Sequence, residues 1–117
     1  MLRVISLLGF ICMGGAAAAF ERVAERSEFM ELLSGRELYL GLLNAQLSVN
    51  SDGTITGSAR NTPVTGRWSW QDGFFCREMD WSGREIAYDC QLVEQDAGRM
   101  RFSSERGAGR RAVFQLR

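Results

Sequence analysis

Apolar and polar residues alternate with a period of two through several short stretches of this chain. In residues 46–50, Leu47 and Val49 sit between polar neighbours, and in residues 111–116 Ala112, Phe114 and Leu116 alternate with Arg111, Val113 and Gln115. Side chains of a strand point to opposite faces in turn, so this pattern predicts half-buried β-strands. Residues 37–43, 54–59, 64–70 and 99–103 read as further strands. Turn signals separate them: Ser51-Asp52-Gly53, Asn61-Thr62-Pro63, Asp96-Ala97-Gly98 and the polar, Gly-rich residues 104–109. Closely spaced strands and turns predict an antiparallel meander of about seven to eight strands, curled into a small or partly closed barrel.

Residues 68–92 hold all three Trp residues, two of the three Cys and two strong hairpin signals, Asp72-Gly73 and Ser82-Gly83. Gly supplies the positive φ that a tight turn needs. A two-residue turn at Asp72-Gly73 sets Gln71 opposite Phe74, Trp70 opposite Phe75 and Trp68 opposite Arg77, where the indole can stack on the guanidinium. A hairpin centred on Gly83 sets Cys76 opposite Cys90, Arg77 by Asp89 as a salt bridge, and Glu78 by Tyr88. One face then carries Ser69, Phe74, Cys76, Ile86, Tyr88, Cys90 and Leu92. The other carries Trp68, Trp70, Phe75, Arg77, Met79, Trp81, Ala87, Asp89 and Val93. Both faces are too apolar for water, so either the sheet is covered on both sides or one face is a docking surface.

The N-terminal part follows a different pattern. Residues 1–19 have the form of a secretory signal peptide: Arg3, an apolar stretch over residues 4–13, and Ala17-Ala18-Ala19 as a small-residue cleavage site before Phe20. The stretch is shorter than the ~20 residues of a spanning helix. Cys12 lies inside it and is expected to be removed. Residues 21–33 mix Val23, Phe29, Met30, Leu32 and Leu33 with charges, as in one amphipathic helix, with Ser27 as a later N-cap and Ser34-Gly35 as its stop. The division expected is therefore signal peptide 1–19, helical segment 20–36 and β domain 37–117. Export to the periplasm makes a disulfide of Cys76 and Cys90 the expected state, since an even pair in an oxidising compartment is normally bonded.

At 117 residues the chain makes one domain, for which a staple helps: closing a loop of about 15 residues contributes on the order of 3 kcal/mol. Fourteen basic residues, all Arg, balance fourteen acidic ones, which excludes nucleic-acid binding driven by bulk charge. There is no His and no Lys. This removes a His base or metal ligand, a Ser-His triad and a Schiff-base Lys. With the cysteines paired, only scattered carboxylates remain for a metal, so no metal and no cofactor is expected.

Gly107-Ala108-Gly109-Arg110-Arg111-Ala112 matches the dinucleotide fingerprint G-x-G-x-x-A. That motif works between a strand and a helix with an acidic residue about 20 positions on. The five positions after it hold no such unit, and a hairpin loop is the expected structure.

Residues 29–117 carry Asp52-Gly53-Thr54-Ile55-Thr56-Gly57, Val64-Thr65-Gly66-Arg67-Trp68-Ser69-Trp70, Asp72-Gly73-Phe74-Phe75-Cys76-Arg77, Asp89-Cys90-Gln91, and Arg101-Phe102 with Gly107-Ala108-Gly109. In these the chain resembles a group of small exported alphaproteobacterial proteins often labelled "dihydrodipicolinate reductase". The resemblance implies export and a shared fold. It does not imply the labelled activity, because reductases of that name are larger, two-domain and Rossmann-based.

Three functions are in view. The first is a periplasmic, non-catalytic binding or accessory module, whose face of Trp68, Trp70, Phe75, Arg77, Met79 and Trp81 contacts a protein partner or lines a pocket for an apolar or anionic ligand. The same residues are equally what a plain core would need. The second is an inhibitor of a secreted hydrolase, by analogy of architecture, acting through the mature N-terminus or the loop at residues 51–53. The third is a carboxylate enzyme using Glu78, Asp80, Glu85 and Asp89.

Overall fold

The computed structural model describes residues 19–117; the signal-peptide reading of residues 1–19 and Cys12 fall, but for Ala19, outside the described residues. The chain runs β1 (Glu21–Arg22), α1 (Arg26–Leu33), β2 (Leu38–Leu40), β3 (Ala45–Val49), β4 (Thr54–Ala59), β5 (Thr62–Gln71), β6 (Phe74–Trp81), β7 (Arg84–Asp96), β8 (Arg99–Ser103) and β9 (Arg111–Leu116). Strands β2 to β9 pair antiparallel in chain order, and β9 returns to β2, closing an eight-stranded up-and-down barrel with β1 as an added strand. The meander expected from the alternation is thus fully closed, which leaves few free edges.

Two-residue hairpins shape the wall. Arg60-Asn61, Asp72-Gly73, Ser82-Gly83 and Ala97-Gly98 all take positive φ at both positions. This is the turn whose twist matches that of paired strands. The first lies one residue earlier than the break expected at Asn61-Thr62-Pro63. Pro63 belongs to β5, where it pairs with Ser58 beyond the end of the β6 ladder, so its missing N–H leaves no gap between β5 and β6. Gly57 faces Leu47 so closely that a Cβ there would lie 2.0 Å from the Gln46 carbonyl oxygen, which accounts for a glycine inside a strand.

The register of the central unit follows the sequence reading at one end and departs from it at the other. Gln71 faces Phe74, Trp70 faces Phe75 and Trp68 faces Arg77; Cys76 faces Cys90 and is bonded to it. Beyond Arg77↔Asp89 the ladder shifts, and Met79 faces Ile86 instead of Ala87. The tight Ser82-Gly83 turn fixes Trp81 opposite Arg84, while the disulfide fixes Cys76 opposite Cys90. Both hold only if β7 bulges by one residue. A one-residue shift turns side chains over, so Ile86 leaves the disulfide face and joins Met79, and Glu78 is not paired with Tyr88.

The N-terminal segment also differs from expectation. Residues 21–33 do not form one helix. Glu21 and Arg22 pair with Gln95 and Glu94 of β7, and the Val23 N–H donates to the Val93 carbonyl at 2.9 Å. The Trp70 Nε1–H donates to the Ala24 carbonyl at 3.0 Å, holding the chain extended until Glu25. Ser27 therefore lies inside α1, which begins at Arg26, while Gly35 with φ +70° ends it as expected. An eight-residue helix is not stable alone, so packing must hold it. Phe29 and Leu33 are buried, and the Phe29 ring meets Trp68, Trp70, Phe75 and Phe102 at centroid distances of 4.9–6.4 Å. Rings from β5, β6 and β8 converge only inside a barrel, so α1 plugs the lumen. Each such buried ring contributes on the order of 2–3 kcal/mol.

Candidate functional site

Closure of the barrel decides which sheet face is inside. Trp68 and Phe75 are core residues, and Trp70, Arg77, Met79 and Trp81, on the same face, are half-buried. The six residues of the predicted face nonetheless fall into three environments. Trp68 and Trp70 surround the Phe29 plug, and the Trp68 Nε1–H donates to the Asn50 carbonyl at 2.8 Å. The cation over Trp68 is Arg26 of α1, at 5.0 Å, and not Arg77 as the hairpin register suggested. Trp81 lies apart against a small cluster of Ala45, Ala59 and Val64, its Nε1–H donating to the Ala59 carbonyl at 3.1 Å.

Phe75, Arg77 and Met79 come together. They share a cavity of about 150 Å³ with Leu38, Leu47, Val49, Ile55, Gln91, Phe102, Ala112 and Phe114. Every barrel strand except β5 lends a wall residue. On β5 the inward position opposite Met79 is Gly66, where a Cβ would lie 2.7 Å from the Met79 Cγ, so Met79 covers the missing side chain.

Two polar groups interrupt this apolar wall. Arg77 donates from Nη1 to the Ala87 carbonyl at 2.7 Å. The expected salt bridge to Asp89 is absent: the ion pairs among the described residues are Arg99–Asp96 and Arg101–Glu94. Asp89 instead accepts from the Glu105 backbone N–H at 3.1 Å, which turns its carboxylate toward the loop after β8. Burial draws the Arg77 guanidinium below its ordinary value, and the nearby Asp89 charge opposes this. Gln91, opposite Phe75, retains 9% of its exposure. Among the described residues its side-chain amide has no hydrogen-bond partner within the protein, although buried amides nearly always have one.

Sequence reasoning named Arg77 and missed Gln91. The signal was present: counting back from the Cys76–Cys90 pair puts Gln91 opposite Phe75, on the Trp face, where a polar residue breaks an apolar stripe.

Of the four carboxylates considered for catalysis, three stay together, with Asp80 facing Glu85 across the hairpin, and Asp89 is apart from them. Glu78, Asp80 and Glu85 line an outer groove with Arg67, and Asp80 is engaged in its own turn, accepting from the Gly83 N–H at 2.8 Å. Asp89 lies on the other face, opposite Arg77. No group of three or more His, Cys, Asp or Glu side chains among the described residues is arranged to hold a metal. The G-x-G-x-x-A residues form the loop and first strand residues between β8 and β9, with no helix after them. Compared with known families, curated proteins and solved structures, the chain matches none.

Proposed function

We propose that this chain is an exported, non-catalytic binding module that takes a small ligand inside its barrel. The single observation carrying this reading is the cavity of about 150 Å³ in which an otherwise apolar wall holds a guanidinium without an ion pair and an amide without a partner among the described residues. Ligand sites are commonly built in this way, mostly apolar with a few converging polar groups. An eight-stranded barrel has room for side chains or one small ligand.

Export is supported by the signal-like residues 1–19 and by the cystine, which belongs to an oxidising compartment. No helix among the described residues is long and apolar enough to cross a membrane. A non-catalytic role is supported by the lack of His and Lys and by the placement of Glu78, Asp80 and Glu85 outside the lumen. The lumen favours a small ligand over a protein partner, because the predicted face points inward.

Native mass spectrometry of the oxidised protein recovered from a periplasm tests this. The expected result is a one-to-one small-molecule adduct that is lost on denaturation. A chain that is always ligand-free, and whose Tm responds to no small apolar or anionic compound, would overturn the reading.

A further inference from the structure

Taking the lumen as the ligand site, we infer that its ligand is a small monocarboxylate with a ring-sized apolar body. The carboxylate lies between Arg77 and Gln91, and the body lies among Phe75, Met79, Phe102 and Phe114.

The polar groups set the head group. A guanidinium is a fork of donors, and Arg77 directs one nitrogen to Ala87, leaving the rest of the fork. Its cross-strand neighbour Asp89 is held by Glu105, so no carboxylate of the described residues closes on it. A cation in an apolar wall is relieved by an anion, not by a neutral or cationic ligand. Gln91 adds a second donor from the neighbouring strand, which a carboxylate's two oxygens can use together with Arg77. One guanidinium fork matches one carboxylate.

The cavity sets the size. About 150 Å³ matches the volume of an engineered protein cavity known to bind benzene. The aromatic rings of Phe75, Phe102 and Phe114 suit a flat or short apolar body and leave no length for a long acyl chain.

The experiment measures binding of benzoate, benzamide, benzylamine and benzene to the oxidised protein, by calorimetry for the first three and by NMR shifts for benzene. Benzoate is expected to bind one to one, about tenfold or more tighter than benzamide, as a charge-assisted hydrogen bond implies, with benzylamine not binding. Arg77→Met is expected to erase that preference while benzene still binds. If benzamide matches benzoate, or Arg77→Met keeps the preference, the carboxylate assignment is overturned and the lumen site stands. If none of the four compounds binds, the lumen site itself is overturned. Should Arg77→Met fail to fold, Gln91→Glu puts a carboxylate against Arg77 from within. Benzoate binding is then expected to fall about tenfold or more with benzene binding retained; undiminished benzoate binding overturns the assignment.

Discussion

Gln91 lies directly opposite Phe75 across the β6–β7 ladder, and both line the lumen, so a primary amide stands where the packing alone would place a hydrophobe. Leaving a buried amide unpaired costs about 1–3 kcal/mol, whereas an apolar group of similar shape carries no such penalty. Gln91→Leu is therefore expected to raise stability by about 1 kcal/mol, seen as a higher urea midpoint at unchanged slope, while weakening ligand binding. Opposite signs for stability and binding mark a residue retained for a site. A loss of stability in Gln91→Leu would show that the amide is satisfied inside the fold.

Trp81 shares a strand face with Arg77 but contacts a different cluster, donating to Ala59 and packing on Ala45 and Val64. Truncating a fully buried Trp costs about 3–5 kcal/mol, and Trp81 is half-buried. Trp81→Ala is expected to cost about 2 kcal/mol and to leave small-ligand affinity within about twofold of the parent. Thermal unfolding and benzoate titration on the same variant check both halves.

The sequence carried the wall of the barrel well, because its devices are local. Asp72-Gly73 and Ser82-Gly83 specify their own turns, alternation specifies faces, and the Cys76–Cys90 pair follows from the hairpin between them. What it did not carry depends on distant partners. Val23 is buried through its bond to Val93, so residues 21–23 join a strand rather than the helix their composition suggests. Arg26 reaches Trp68 only because α1 folds over the lumen. The bulge in β7 arises from two constraints that are each legible but conflict only when both are applied. The Trp face was legible as a face; that it points inward, and that Arg77 and Gln91 meet a cavity there, required closure of the barrel.

Asp52 caps the β3–β4 turn. Its Oδ1 accepts from the Thr54 hydroxyl at 2.6 Å and the Thr54 N–H at 3.0 Å, and these bonds hold its carboxyl below the ordinary 3.8. A depressed carboxyl pKa in the folded state stabilises above the ordinary value, and this contribution is lost as pH falls through the folded value. Thr54→Val removes the hydroxyl, the larger cause. The titration midpoint of Asp52, followed by carboxyl-carbon NMR, is expected to rise toward 3.8 in that variant. An unchanged midpoint would assign the shift to the backbone N–H or to Arg67.

The disulfide closes a loop with a sequence separation of 14, and this loop contains both the Ser82-Gly83 turn and the β7 bulge. In the chain-entropy account such a loop is worth about 3 kcal/mol. Its second effect is on register. Without the bond, β6 and β7 can satisfy the Ser82-Gly83 turn by sliding one residue, and that slide would bring Cys90 and Tyr88 to the inner face and carry Gln91 and Asp89 out of the lumen. Cys76→Ser/Cys90→Ser is therefore expected to lose about 3 kcal/mol in urea unfolding, and to lose small-ligand binding even under conditions where it remains folded. Amide hydrogen exchange would rise most between Arg77 and Asp89. A double variant that binds benzoate as the parent does would show that the barrel wall holds this register without the bond.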